Sequence, residues 1–327
     1  MIPDRTTQKK LMSFLQLLRS IALAGALAAS ACARHESAAL SWDVKFGPVL
    51  GNELIVGHVV DAGTAWLATG GDTLVRIDLA SARHTRTPVH PLEEGEHIWG
   101  LATTREKEMW TLIGRATLAQ LGEDAEIVRR IGLAEPHVGL FGSGRDLVFQ
   151  VMNLHPPGYA LAAGPPGGAT RRPWSDMRTR DLPFNRGAVA ALNLVSCGSS
   201  AGAVLPCWFP DTAVLTLTDR SGSSREIPLA GLPVVAPELL LASDNPRRPV
   251  RDAFVTAGNM VWVLGSGEPP GGDASTQPGG WLLARYDLEG RLFRRVQLPE
   301  PARVLLGARE DACLLLAWDG RVVEVRL

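Results

Sequence analysis

The chain has no basic excess. Its 33 Lys and Arg stand against 34 Asp and Glu, for a formal net charge of −1. A protein held to nucleic acid by charge shows a clear positive surplus, so no nucleic acid is expected as a partner. The chain also lacks an apolar run of the ~20 residues that a membrane-crossing helix needs. Lysine is nearly gone after residue 31, where only Lys45 and Lys107 remain. The positive charge is arginine, a bias that GC-rich coding explains without any function. From Trp42 onward there is no helical periodicity beyond a few residues, which excludes helical and alternating α/β folds. Ser196, Ser199 and Ser200 have no nucleophile-elbow context. No cysteine sits in the accessible, positively charged setting of a catalytic thiol.

What the chain does have begins at the leader. Arg5, Lys9, Lys10 and Arg19 make a basic start, and Ile21–Ala29 is an apolar core of signal-peptide length. It runs into Ala29-Ser30-Ala31-Cys32, which resembles the lipobox of bacterial lipoproteins, with Ala29 where Leu is usual and Leu27 close by. The resemblance implies cleavage after residue 31 and lipidation of Cys32. The expected place is the periplasmic face of a bacterial membrane, with the membrane itself a partner through the anchor. An ordinary signal peptide cut after Ala31 or Ala33, giving a soluble periplasmic protein, stays open. Removing residues 1–31 leaves 29 basic and 33 acidic residues, a net −4. Residues 32–41 are small and polar and suit a tether to a domain over 42–327.

Export also frames the other cysteines. Cys197 and Cys207 lie ten positions apart around Gly198, Ser199, Ser200 and Gly202, and a disulfide is expected between them. Cys313, in Ala312-Cys313-Leu314-Leu315-Leu316, reads as a buried free thiol.

The mature region is strands and turns. Trp66 to Ser81 is two short strands around Gly70-Gly71-Asp72, and Val261–Leu264 pairs with Trp281–Leu288 across a longer loop. Laid along the chain, the unit recurs at 54–92, 97–134, 137–175, 186–230 and 250–299, with only three strands after Arg303. Its rhythm resembles the β-propeller superfamily, with repeats similar to the NHL and YVTN groups. The resemblance implies an all-β ring of six four-stranded blades. Seven is the alternative if 230–250 hides a further sheet. The unassigned strand Trp42–Phe46 is expected to complete the last blade and close the ring.

The resemblance also implies a central channel lined by the first strand of each blade. His58, His97 and His137 recur 39 and 40 residues apart, each just before an apolar run, and Arg186, Arg251 and Arg303 hold comparable places in blades four to six. Three neutral imidazoles from adjacent blades can share a transition metal. Arginines opposite can hold a carboxylate bidentately. Against this, a one-residue slip in register turns a side chain to the other face of its sheet. Asp61, Asp78, Asp287 and Asp319 read as turn formers. Trp66, Trp110 and Trp262 are expected in the core, and Trp174, Trp208 and Trp281, beside long loops, at the surface. The Gly/Pro-rich insertions His155–Trp174 and Gly265–Gly280 are expected either to shape one mouth or to be disordered.

The expected function is a binding or scaffold protein without a cofactor, with an envelope protein, peptide or glycan as partner. The alternative is a metal-assisted hydrolase or lyase using His58, His97 and His137. The acidic calcium-binding set of lactonase-like propellers has no counterpart in this chain.

Overall fold

A computed structural model describes residues 40–327 except 52, 62, 82, 105, 144–145, 152–160, 169–170, 176, 182–191, 193, 202–203, 220, 233–247 and 267–278. The leader with Cys32, Arg186, His155, most of 230–250 and most of Gly265–Gly280 lie outside the described residues.

The first strand is β1 (Ser41–Phe46). Then β2 (Ile55–Asp61), β3 (Thr64–Thr69), β4 (Thr73–Asp78) and β5 (His84–Pro88) form an antiparallel sheet in chain order. A second sheet is β6 (Ile98–Thr103), β7 (Met109–Ile113), β8 (Thr117–Leu121) and β9 (Ile127–Gly132). A third is β10 (His137–Ser143), β11 (Asp146–Val151), β12 (Leu161–Gly164) and β13 (Arg172–Pro173). The cysteine segment supplies β14 (Ser196–Cys197) and β15 (Ser199–Ser200), followed by β16 (Val204–Trp208), β17 (Val214–Asp219) and β18 (Ser224–Pro228). Strands β14, β16, β17 and β18 make the fourth sheet, with the Cys197–Cys207 disulfide across paired residues of β14 and β16. Strand β15 instead runs parallel to β19 (Asp252–Val255). The rest are β20 (Val261–Gly265), β21 (Gly280–Tyr286), β22 (Leu292–Ala308), β23 (Ala312–Ala317) and β24 (Val322–Arg326). With β15 and β1 they form one eight-stranded sheet, in which β1 lies antiparallel to β24.

The described residues thus give four separate four-stranded sheets rather than six or seven. The difference lies in β22, an unbroken strand of 17 residues where the pattern predicts two. Its first part pairs with β21 (Leu282 with Gln297) and its last part with β23 (Leu305 with Leu315). Pro299 and Pro301 read as a break in the sequence. They fall where β22 passes from one partner to the other, so their missing N–H groups cost no ladder bond.

Alternation within each strand gives every sheet two apolar faces, and the cores lie between successive sheets. Ala68 and Leu74 of the first sheet pack with Ile98 and Leu101 of the second. Trp110 and Leu112 of the second meet Leu140 and Phe149 of the third. Val148 and Leu161 pack on Val195 and Leu205, and Leu215 and Leu217 on Val261 and Val263. Leu67 and Ile77 of the first sheet then pack against Leu306, Leu316 and Val322, so the last sheet meets the first. This all-β circle of sheets is a β-propeller. Residues 41–326 form it as one unit.

Glycine lets the innermost strands come close. A Cβ on Gly57 of β2 would lie 2.7 Å from the Leu101 backbone nitrogen of β6, and one on Gly142 of β10 would lie 2.2 Å from the Thr103 carbonyl oxygen. Neighbouring inner strands β2, β6 and β10 therefore lie side by side with backbone nearly in contact.

Candidate functional site

The inner strands share a local irregularity that sets their register. Bulges fall between Ile55 and Gly57 in β2, between Ile98 and Gly100 in β6, and between His137 and Gly139 in β10. Gly57, Gly100 and Gly139 are therefore equivalent. The histidines are not: His58 follows the glycine, His97 precedes the strand, and His137 stands where the other strands have Ile55 and Ile98.

The three imidazoles accordingly sit in three settings. His58 is nearly buried in the wall of the central cavity, with Nε2 3.5 Å from Asp252 Oδ2. His97 is exposed, and its carbonyl accepts from the Gly114 N–H at 2.8 Å. His137 is fully buried, edge-on to Phe149 at 5.3 Å between ring centres, with Nε2 against the Arg171 guanidinium. Burial first, and then the Arg171 charge, press the His137 pKa down to about 4, so it is a neutral core residue at ordinary pH. Among the described residues no three His, Cys, Asp or Glu side chains are grouped to hold a metal. The expected convergence of His58, His97 and His137 is corrected on this geometry.

The arginines divide as well. Arg303 occupies the bulge of its strand, as Val56, Trp99 and Val138 do in theirs. It lies 4.9 Å from the Trp318 ring and donates to the Trp318 carbonyl through Nε at 2.9 Å, and to the Glu53 carbonyl through Nη1 at 3.3 Å. Those bonds tie it to backbone, and it is a structural residue. Arg251 lines the cavity, its backbone N–H bonded to the Leu264 carbonyl at 2.8 Å. Burial and the neighbouring Arg248 charge lower the Arg251 pKa to about 10.

Asp252 organises this side of the cavity. It is 3% exposed, and its Oδ1 accepts from the Ala253 N–H at 2.8 Å. Its Oδ2 accepts from the Leu305 N–H of β22 at 2.7 Å and faces His58. One carboxyl thus links β19, β22 and β2. It forms no ion pair with Arg251, the arrangement that their adjacency suggests. Burial raises its pKa, and the His58 charge and the two N–H groups offset this only in part.

The cavity measures ≈1770 Å3 and includes His58, Arg248, Arg251, Asp252 and Phe254 in its wall. Strand β15, stapled to its neighbourhood by the disulfide, brings Ser199 and Ser200 to the same wall. The aromatic expectations reverse in part. Trp110 and Trp262 are buried as expected, but so are Trp174, Trp208 and Trp281. Trp208 is held inside because its Nε1 donates to the Val250 carbonyl at 3.0 Å. The exposed indole is Trp99, lying 4.8 Å from the Arg115 guanidinium. The turn reading of the aspartates fits the bonds: Asp78 accepts from the N–H groups of Ala80 and Ser81, Asp287 from those of Glu289 and Arg291, and Asp319 from that of Arg321. The Asp61 side chain lies outside the described residues.

In the sequence Arg251-Asp252, following Pro246-Arg247-Arg248-Pro249, reads as an ion pair at the channel mouth; the link of Asp252 to Leu305 and His58 was missed. The only signal for the site was polar residues in Arg247-Arg248-Pro249-Val250-Arg251-Asp252, directly before an apolar strand.

By fold and site, then, the chain is a β-propeller with a central cavity whose wall is part charged and polar, with both signs present, and part apolar. No family model and no curated relative matches it. Among solved structures it is similar to the WD40 β-propeller domain of Doa1, at 9% identity and a TM-score of 0.51 over 87% of this chain and 97% of that one. Virginiamycin B lyase from Staphylococcus aureus aligns over 88% of this chain and 99% of its own, at 12% identity and a TM-score of 0.47. At such identities the likeness is one of fold.

Proposed function

We propose that the protein is an exported, lipid-anchored propeller that binds an envelope protein, peptide or glycan through the mouth of its cavity. In this reading Cys32 is the lipidated first residue, 32–41 the tether, and the periplasmic face of the membrane its place. The propeller has six blades. The eight-stranded sheet is two blades continuous through β22, and β1 completes the last by lying on β24, as their pairing supports.

The observation that carries the binding reading is the cavity itself. At ≈1770 Å3 it exceeds the roughly 300–1,000 Å3 of small-molecule sites and suits a segment of a larger partner. The three separate histidine settings give no support to a metal-assisted hydrolase or lyase.

Fractionation tests the anchor. The full chain should sediment with membranes, and the Cys32→Ala variant should appear in the soluble periplasmic fraction. Size-exclusion chromatography of the detergent-solubilised protein tests binding: elution with a partner supports the reading, and elution as the chain alone contradicts it.

A further inference from the structure

Each bulge glycine of the inner strands faces one residue of the strand beside it. Gly57 pairs with Ala68, Gly100 with Leu112, and Gly139 with Gln150. Ala68 and Leu112 are buried, so the first two sheets fill this place with apolar side chains. In the third sheet Gln150 fills it, 5% exposed and in the wall of the central cavity. Its Nε2 has no hydrogen-bond partner among the described residues. Gly139 makes room for the amide, because a Cβ there would lie 2.9 Å from Gln150 Oε1 and 3.1 Å from the Phe141 ring.

A second donor shares the row. Gln150 pairs with Leu161, whose carbonyl accepts the backbone N–H of Trp174 at 3.2 Å. Residues directly opposite in an antiparallel sheet project from one face. Here that face meets the fourth sheet, where Trp174 packs with Val195 and Leu205. Of the two buried indoles in the cavity wall, Trp208 donates to the Val250 carbonyl, whereas Trp174 Nε1 has no acceptor among the described residues. The face is thus short of acceptors, and a buried donor without one costs stability. It is also neutral. Among the described residues of the third and fourth sheets, the charged side chain in the wall is Asp219, and the Ser221 and Ser223 N–H groups occupy its carboxylate.

We infer that Gln150 recognises the main chain of a peptide segment in the cavity, its Nε2 donating to a peptide carbonyl and its Oε1 accepting a peptide N–H. A primary amide carries a donor edge and an acceptor edge, which match those of a peptide group. The last torsion of a Gln side chain is soft, so the amide can turn into the cavity while the backbone stays fixed. Phe141, Ser196 and Ser199 of the same wall offer the segment an apolar ring and two hydroxyls. A peptide is favoured over a glycan because Trp174, 1% exposed, presents no open face on which a sugar could stack. This deepens the binding reading above and rests on it.

The test titrates the detergent-solubilised full chain with N-acetyl-Leu-Ala-Leu amide, whose polar groups are all amides, by calorimetry, and unfolds the same proteins in urea. Gln150→Leu, which installs the residue that β7 carries, should weaken the peptide about fivefold or more, the loss of one hydrogen bond. Its urea midpoint should stay at or above that of the wild type, because the variant no longer buries an unpaired donor. A structural role would instead lower the midpoint, and that result overturns the proposal. Should Gln150→Leu fail to fold, the near-isosteric Gln150→Met decides by the same two readings, and failure of both to fold overturns the proposal as well. Unchanged binding in a folded variant means that water alone serves the amide, and the subsite is wrong. A trimer of N-acetylglucosamine that binds more tightly than the peptide, and is lost in Gln150→Leu, overturns the peptide assignment. If the peptide fails to bind while a partner still co-elutes in size exclusion, the subsite is wrong and the binding reading stands.

Discussion

Replacing Asp252 tests how the ring is held around its cavity. The side chain is 3% exposed and accepts N–H bonds from Leu305 at 2.7 Å and from Ala253 at 2.8 Å, with His58 3.5 Å away. Asp252→Ala leaves the Leu305 N–H without this acceptor, which costs about 1–3 kcal/mol, and removes a second bond of about 1 kcal/mol. Losing a carboxyl that is costly to bury offsets part of this, so the net destabilisation is about 2 kcal/mol. With a urea slope of about 3 kcal/mol/M for a chain of this size, the midpoint should fall by about 0.7 M. Asp252→Asn keeps an acceptor for Leu305 and should cost about 1 kcal/mol. Burial raises the Asp252 pKa, so above the ordinary 3.8 the folded chain holds a proton that the unfolded chain has released. This group therefore contributes a loss of stability as pH rises from 3.8 through its folded pKa, and Asp252→Asn should remove that contribution. Urea unfolding followed by tryptophan fluorescence reads both effects, Trp262 being fully buried beside β19. Wild-type midpoints for both variants would refute the argument that this carboxyl links three strands.

Three further outcomes follow from other sites. His137, with its pKa lowered from 6.5 to about 4, stays neutral in the fold while the unfolded chain protonates. Stability should thus fall by up to about 3 kcal/mol as pH drops from 6.5 to 4, and His137→Gln should flatten that slope in pH-dependent urea titrations. Cys313 is buried, and burial together with the Glu324 charge raises its thiol pKa well above the usual value. Iodoacetamide should leave it unmodified in the native protein and alkylate it in urea, as mass spectrometry would show. Gly57→Ala should destabilise by about 2 kcal/mol or more, because its Cβ would meet backbone at 2.7 Å, and a thermal melt at or above the wild-type temperature would contradict the close contact of β2 and β6.

The strands were legible because alternation and turn residues are local signals. The units at 54–92 and 97–134 each hold one four-stranded sheet, and Val261–Leu264 is one residue short of the strand. The failures come from long-range pairing. Pro299 and Pro301 end a strand by every local rule, but the two partners of β22 divide around them. The histidine spacing of 39 and 40 residues was a coincidence of numbering, since the bulge glycines recur at 43 and 39, and a bulge cannot be read from one strand alone. Trp174, Trp208 and Trp281 border loops in sequence but lie inside, Trp174 packed with Val195 and Leu205 and Trp208 with Val250 and Val261. Arg251 and Asp252 are adjacent and suggest an ion pair, but the Asp252 carboxyl accepts from Leu305, on a strand distant in the chain.

The central claim is that the cavity mouth receives a partner, and site-specific photo-cross-linking in the native envelope tests it most directly. A photoreactive residue at Glu123, which is exposed on the cavity wall, should trap a discrete partner, and one at Arg294 on β22, in its stretch paired with β21, should trap none. Equal adducts from both positions, or none from Glu123, would contradict the account.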